Sequence, residues 1–271
     1  MPPGRGGCSG IPVSESPPPG ELTEDGLLGG RVRLLQPRQG FRAAIDPVLL
    51  AAFVPARSGE AVLEIGCGTG AAFLCLAARA RGVTVTAIER DPELAALALR
   101  NAALNGAEAT ILAEDCCALP TLPPMHHAMA NPPYWTAGTA SPHAGRRQAA
   151  HEDVPLSAWI AALTRPLRHK GTVSLVLPAA RLAEAAAGFR DAGCGAVRLL
   201  PLWPRAGAPA KRVLLQARKG GRGADEMLPG LVLHEADGSL TSEAENVLRD
   251  CEGLCLPRVP GREALPGAST T

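Results

Sequence analysis

The chain has 271 residues, of which 46% are hydrophobic and 20% charged, so it can bury a sizeable globular core. Its formal net charge is +1, which excludes a strong overall field for nucleic acid and confines any such site to a local patch. The longest apolar run, Val48 to Val54, is too short to span a bilayer, and the N-terminus lacks the apolar segment of a signal peptide. We therefore expect a cytoplasmic protein with no membrane partner.

The eight cysteines include no Cys-x-x-Cys pair and no metal-type spacing to histidine, so no metal site is predicted. Cys67, Cys75 and Cys194 fall in predicted core elements, and we expect reduced thiols instead of a disulfide framework. Three histidines have no carboxylate or cysteine partner at metal spacing and are expected to be structural or surface residues: His126, His127 and His143.

Both ends of the chain differ in composition from its body. Residues 1–20 are rich in proline, glycine and serine and lack an apolar period, so they are predicted to be disordered, as is the tail 257–271. One domain is predicted between them, over residues 21–256, and it shows no internal repeat.

The first part of this domain, residues 21–58, precedes the strands of the predicted sheet. Gly26 to Gln36 alternates weakly between apolar and polar residues, which predicts an entry hairpin strand. Asp46 and Pro47 are typical of a helix start, with Asp46 as the N-cap and Pro47 as the first helical residue.

From Ala61 onward, strand and helix patterns alternate, which indicates βαβ units around a mostly parallel sheet of the α/β class. The later strands have shorter connections, so the far edge is expected to be antiparallel. Strands are predicted at 61–65, 83–89, 109–112, 128–130, 172–177, 197–202, 210–217 and 231–234, and helices at about 71–80, 92–104, 156–164, 180–192 and 242–250.

Polar residues follow the predicted strands at the ends where such sheets bind ligands. We expect one rim of the sheet to carry the segment Glu64–Gly70 together with Glu89, Asp115 and Asn131. Because four strands each end in a polar residue, we interpret the set as one constellation.

The segment from Glu64 to Gly70 reads Glu-Ile-Gly-Cys-Gly-Thr-Gly and predicts a tight turn that opens a helix. Glycines there let the backbone approach a ligand closely. The spacing differs from that of dinucleotide sites, and no Lys-Ser/Thr follows, which disfavours a phosphate loop. Glu64 would oppose a phosphate but attract a cation. The alternative is a glycine-rich turn without a ligand.

Two acidic residues after the next strands could bind a nucleoside. Glu89 lies about twenty residues beyond the last glycine, where a carboxylate can accept two hydrogen bonds from ribose hydroxyls. Asp115 could accept a hydrogen bond from an adenine amino group. For both residues the alternative is a solvated acid at a strand end.

Asn131-Pro132-Pro133-Tyr134 directly follows a predicted strand. The prolines remove two donors and hold the backbone extended, so carbonyl oxygens and the Asn131 amide oxygen can point into a pocket. Tyr134 adds a ring that can stack on a planar group. Such a set suits a planar amide or an aromatic amine. The alternative is a rigid turn with Tyr134 in the core.

Together these motifs resemble those of class I S-adenosylmethionine-dependent methyltransferases that act on exocyclic adenine nitrogen or on glutamine amide. Two further segments resemble the bacterial tRNA1(Val) adenine-37 N6-methyltransferases: Gln36 to Phe53, with its Gln-Pro-Arg-Gln-Gly-Phe-Arg and Asp-Pro-Val-Leu-Leu-Ala-Ala-Phe runs, and Ala210 to Gln216. The resemblance covers roughly residues 25 to 250. It implies a Rossmann-like, seven-stranded sheet with helices on both faces, and methyl transfer from S-adenosylmethionine to an adenine N6 in tRNA.

The resemblance also assigns site residues. Asn131, Pro132 and Tyr134 would hold the target amine, and Arg42 and Asp46 would lie near the amino-acid end of the cofactor. Residues expected to bind the cofactor are Glu64, Gly66, Cys67, Gly68, Gly70, Glu89, Arg90, Asp115 and Cys116. A tRNA is the expected partner of a chain that we favour as a monomer.

Other assignments remain open on the sequence alone. The chain could methylate a glutamine in a protein such as a release factor, although no helical bundle is predicted before Glu64. It could also be a methyltransferase-like domain that only binds RNA or protein. Trp135 could stack on a neighbouring base or pack in the core. Basic clusters that could contact RNA, or simply face solvent, are Arg146-Arg147, Arg165/Arg168/Lys170, and Lys211/Arg212 with Arg218-Lys219-Arg222.

Overall fold

The computed structural model describes residues 22–38, 42–133 and 154–254. The predictions for the leader 1–20, for the tail 257–271, and for Tyr134, Trp135, His143, Arg146 and Arg147 therefore lie outside the described residues. Within the described ranges, no helix has the length and apolar character needed to cross a membrane.

An antiparallel hairpin and one helix precede the main sheet. Strand β1 (Leu22–Leu27) pairs with β2 (Val32–Pro37), so a turn divides the single strand predicted between Gly26 and Gln36. Helix α1 (Asp46–Phe53) packs on the sheet.

The predicted N-cap of α1 was wrong. Ile45 occupies the cap and makes no side-chain cap bond, and Asp46 is already the first helical residue. A capping side chain needs an extended backbone at its own position. The Asp46 carboxylate instead pairs with Arg212 at 3.1 Å.

In the described part of the chain, nine strands form the main sheet, in the order β10-β8-β9-β7-β6-β3-β4-β5, with β11 also paired to β8. Strands β3 to β7 are mutually parallel, and β9 runs antiparallel between β7 and β8. The predicted mostly parallel sheet is confirmed, and two short strands extend its far edge. The strands are β3 (Ala61–Ile65), β4 (Thr84–Ile88), β5 (Ala109–Leu112), β6 (Met125–Ala130), β7 (Leu167–Pro178), β8 (Cys194–Arg205), β9 (Arg212–Lys219), β10 (Glu226–Met227) and β11 (Leu231–His234).

Helices cover both faces of the sheet, as the sequence predicts. One apolar core lies beneath α1, α2, α3 and α6, and a second lies beneath α4 and α5. Cys67, Cys75 and Cys194 are buried and unbridged, which confirms the prediction of free thiols in the core. The helices after α1 are α2 (Ala71–Arg79), α3 (Pro92–Leu104), α4 (Leu156–Thr164), α5 (Leu182–Asp191) and α6 (Ser242–Arg249).

Two asparagines of α3 fasten the hairpin to the domain. Asn101, which is fully buried, accepts a hydrogen bond from the Leu35 N–H and donates to the Leu35 and Thr69 carbonyls. Asn105, one helical turn later, accepts from the Arg33 N–H and donates to the Arg33 carbonyl. The two side-chain amides thus make the hydrogen bonds to β2 that a neighbouring strand would make. Asn101 also contacts the glycine-rich turn through the Thr69 carbonyl.

We expect Asn101→Ala to lower the free energy of unfolding by about 3 kcal/mol, because it leaves buried backbone donors and acceptors without partners. Asn105→Ala is the matched control and should cost about 1 kcal/mol, since its contacts are exposed to water. Urea unfolding of the two variants provides the measurement. Equal losses of unfolding free energy in the two variants would contradict the greater role of Asn101 in holding the hairpin.

Candidate active site

The candidate site lies where the order of the sheet reverses. Strand β3 has β4 on one side and β6 on the other, so the connections diverge at its carboxyl end. In open α/β sheets this switch point is where ligands bind. Ile65 pairs with both Ile88 and Ala130, which places the residues that follow these three strands side by side.

The glycine-rich turn that follows β3 is left-handed at three positions. Gly66, Gly68 and Gly70 have φ values of 70°, 55° and 96°, which other residues adopt only with strain. A Cβ on Gly70 would lie 2.6 Å from the ring of Phe73. A Cβ on Gly68 would have no neighbour within 4 Å, so the turn faces open space there.

Glu89, which directly follows β4, binds this turn. Its buried carboxylate accepts one hydrogen bond from the Gly68 N–H at 2.8 Å and another from the Asp91 N–H at 2.9 Å. The side chain therefore links the glycine turn to the N-cap of α3. Each carboxylate oxygen has a further lone pair. Ribose binding by Glu89 stays a prediction that these contacts allow.

Glu64 lies fully buried in β3, beneath the turn. Burial raises the pKa of Glu64 to about 8; the Phe73 N–H opposes this change and the charge of Glu89 adds to it. One Glu64 carboxylate oxygen has no hydrogen-bond partner. A buried oxygen without a partner is costly, and a ligand with a positive charge or hydrogen-bond donors would satisfy it.

A groove beside the turn gathers four of the predicted residues: Gly66, Arg90, Asp115 and Cys116. Asp115 accepts a hydrogen bond from the Cys117 N–H at 2.8 Å and pairs with Arg90 at 3.4 Å. The Cys117 N–H and then the Arg90 guanidinium hold the pKa of Asp115 below its ordinary value. The groove therefore presents a charged carboxylate at its rim.

Trp159 of α4 forms a wall of this groove, and our sequence analysis missed it. Its ring atoms Cη2 and Cζ3 lie 2.8 and 3.0 Å from where a Cβ on Gly66 would stand. Aromatic residues are only 3% of the chain, so a tryptophan inside a predicted helix was an available signal. The glycine at 66 is thus required both by its backbone conformation and by the indole ring.

Asp115, Cys116 and Cys117 also place a carboxylate oxygen and two sulfurs within 4.8 Å of one another, close enough to hold a metal ion. The carboxylate already pairs with Arg90. Burial, and then the neighbouring Cys117, raises the pKa of the Cys116 thiol to about 12, which disfavours the thiolate that a metal needs. We therefore assign Asp115 and Cys116 to the groove.

Asn131 and Pro132 begin at the carboxyl end of β6, next to the glycine turn. Asn131 is half-buried and Pro132 is buried. Their position matches the predicted amine site, and the roles assigned to them remain predictions.

Arg42 and Asp46 make contacts outside the glycine turn. Arg42 binds Asp25 at 2.6 Å and Thr23 at 2.7 Å, which ties the connection after β2 back to the hairpin. Asp46 pairs with Arg212 of β9. Their predicted place near a cofactor is therefore not tested by these contacts.

His126 and His127 lie at the opposite, amino end of the sheet strands. The His127 ring nitrogens are 2.7 Å from the Thr172 hydroxyl and 2.9 Å from the Glu60 carboxylate. His126 Nδ1 accepts a hydrogen bond from the Ala61 N–H. The prediction of structural roles is confirmed for this pair.

Comparison with known proteins agrees with this geometry. Residues 62–131, which contain the glycine turn and end at Asn131, match a family model described as a methyltransferase domain. A solved structure from Agrobacterium tumefaciens, described as a predicted O-methyltransferase, is 27% identical and covers 74% of this chain and 94% of its own, with a TM-score of 0.62. A SAM-dependent O-methyltransferase from Thermotoga maritima, 17% identical, covers 69% of each chain with a TM-score of 0.51 and supports the fold.

The sheet order, the glycine turn and these similarities define a class I methyltransferase fold. A tRNA1(Val) (adenine(37)-N6)-methyltransferase from Aeromonas hydrophila is 32% identical over 206 residues, which cover 74% of this chain and 86% of that protein. The protein of the same name from Aeromonas salmonicida shows the same identity and coverage. The chain belongs to the tRNA1(Val) (adenine(37)-N6)-methyltransferase family.

We expect Gly66→Ala to destabilise the protein and to weaken cofactor binding, because the new methyl group meets the Trp159 ring. Gly106→Ala is the matched control. Gly106 has a φ of 60° and nothing within 4 Å of a Cβ, so that variant carries the backbone strain alone, about 1 kcal/mol. Gly66→Ala should cost at least about 1 kcal/mol more in thermal or urea unfolding. Equal costs would contradict the clash.

Glu64→Gln should stabilise the ligand-free protein increasingly as the pH rises from about 5 to 8. In the folded protein Glu64 keeps a proton that the unfolded chain loses above its ordinary pKa of 4.5, so stability from this group falls as the pH rises towards about 8. Glutamine does not titrate, and the gain at pH 8 should be at most about 4 to 5 kcal/mol.

Urea unfolding of both proteins across this pH range isolates Glu64, because the other groups titrate alike in each. A stability difference that does not change with pH would contradict the raised pKa of Glu64.

Proposed function

We propose that this chain transfers a methyl group from S-adenosylmethionine to the exocyclic N6 of an adenine in tRNA. One observation carries the proposal. Asn131 and Pro132 directly follow β6, and the glycine turn directly follows the paired strand β3, so the two segments lie side by side. An acceptor for a planar amine thus adjoins a turn suited to a cationic ligand. The names of the curated relatives supply the adenine and the tRNA.

Residues of the candidate site fit the cofactor. The unpartnered Glu64 oxygen suits a ligand that brings donors or positive charge, and the open side of Gly68 leaves room for it. Glu89 would accept from the ribose hydroxyls, and the groove between Asp115 and Trp159 would hold the adenine. When bound, this cofactor supplies an electrophilic methyl group on a sulfonium sulfur.

The target nitrogen is a poor nucleophile, because its lone pair is delocalised into the adenine ring. Asn131 and the adjacent backbone carbonyls would accept both of its hydrogens, which draws the nitrogen towards tetrahedral geometry and directs its lone pair. Pro132 would keep those carbonyls unpaired within the chain by holding the backbone extended. The catalytic contribution of this chain is then positioning and electrostatics, without a covalent intermediate.

The adenine has to leave its stack to reach this rim. A single-stranded loop permits that at modest cost, since an unpaired base can be extruded for a few kcal/mol or less. The relatives are named for position 37 of tRNA1(Val), so we take an unmodified transcript of that tRNA as the first substrate.

The deciding experiment measures labelled methyl transfer from S-adenosylmethionine to that transcript, with a protein extract in parallel. Asn131→Ala should lower kcat by about 100-fold or more while cofactor affinity stays within about twofold. Asn246→Ala, the same change at an exposed position of α6, is the control and should retain normal transfer.

Recovery of the label as N6-methyladenosine in tRNA supports the proposal. Label found only in protein would contradict it and favour glutamine as the target. Absence of label in both, with cofactor bound, would leave a binding domain. Near-normal turnover of Asn131→Ala would remove that residue from the mechanism.

A further inference from the structure

Strand pairing brings two separate basic clusters together at the amino end of the sheet, away from the candidate active site. Thr172 of β7 lies opposite Arg218 of β9, so the start of β7 adjoins the end of β9. Lys211 and Arg212 lie at the other end of β9. We call the joined cluster the amino-edge basic surface; it comprises Arg165, Arg168, Lys170, Arg218, Lys219 and Arg222.

Two irregularities in the sheet shape this surface. Between Met125 and His127 of β6, the partner strand β7 advances from Leu167 to Thr172, so a basic segment bulges out of the ladder. Strand β8 has a second register shift, between Gly195 and Arg198. Lys170 and Ala196 both have left-handed backbones, with φ values of 64° and 52°. Each costs about 1 kcal/mol or more, and such bulges re-aim side chains.

The charge of this surface is incompletely neutralised. The nearby carboxylates are already paired: Glu60 lies 3.7 Å from Arg168. Asp225 lies 2.5 Å from Arg190.

Other cations of this surface contact neutral oxygens. Lys219 donates to the carbonyls of Thr164 and Leu167, and Arg218 donates to the Lys170 carbonyl. These bonds leave both positive charges in place. Within the described ranges, the Lys170 and Arg222 side chains make no hydrogen bond or ion pair.

A groove of about 430 Å³ runs beside these cations. Its floor is backbone, because Gly195 and Gly221 approach so closely that a Cβ on either would meet the carbonyl oxygen of the other. Arg190 and Arg222 flank it. An exposed polyanion could therefore lie along this edge and meet mainly peptide groups and positive charge.

We propose that the amino-edge basic surface binds the phosphate backbone of the RNA substrate at a distance from the target adenine. This inference rests on the proposed function. Lys170 lies in the bulge before Thr172, and Thr172 is three residues from Leu175, which pairs with Ala130 beside the active site. A regular strand rises about 3.3 Å per residue. The two regions are thus at least about 10 Å apart along β7. We place this surface against the body of a folded tRNA, outside the loop that enters the site.

The test compares Lys170→Glu, Arg222→Glu and the double variant with Arg100→Glu, which matches the charge change of each single variant at an exposed position of α3. Each full-length protein is assayed with the complete tRNA1(Val) transcript and with its anticodon stem-loop alone. For the complete tRNA, the double variant should raise KM about fivefold or more and leave kcat unchanged. The slope of log K against log salt concentration should become shallower by about one to two.

The stem-loop should show no change in KM, and the affinity for S-adenosylmethionine should equal that of the wild type. A double variant that behaves like Arg100→Glu overturns the inference, as does an equal loss for tRNA and stem-loop. Direct binding of fluorescent tRNA repeats the comparison without catalysis. If wild-type protein methylates neither RNA, the proposed function fails, while the binding assay still decides for or against this surface.

Discussion

The left-handed turn between β3 and α2 is the constraint on which the rest of the site depends. The chain leaves a buried parallel strand and must enter a helix within a few residues, which only glycines permit at these φ values. The neighbouring elements are arranged to hold that turn: Glu89 binds its middle, Trp159 packs against its first glycine, and Asn101 binds the Thr69 carbonyl. Each contact comes from a different element, so the site is formed only by the folded sheet and helices together.

The acidic character of the site follows from the same arrangement. Glu64 and Glu89 are both buried close to the turn, and the charge of Glu89 contributes to the raised pKa of Glu64. Nearby carboxylates of like charge, removed from water, are unfavourable in an empty protein. A nearby cation would offset this repulsion, whereas a phosphate would add to it.

Local patterns were sufficient to predict much of the fold. Strand β3, helix α4 and strand β11 have the predicted bounds, because each depends on neighbouring residues. Contacts between distant segments were not predictable: the indole of Trp159 on Gly66, and Asn101, which merely continued the helical spacing of α3. Strand β7 starts five residues before its predicted first residue. Its opening segment is basic and bulged, so it lacks the apolar pattern that predicts a strand.

The asparagine contacts of α3 also bear on how such domains are assembled. The β1–β2 hairpin looks like a separable N-terminal addition to a common fold, yet its inner strand is completed by two amides one helical turn apart in a helix of the domain itself. A hairpin transferred to another methyltransferase would lack these partners unless the matching helix came with it. The hairpin and α3 therefore form one structural unit, although some fifty residues separate them in the chain.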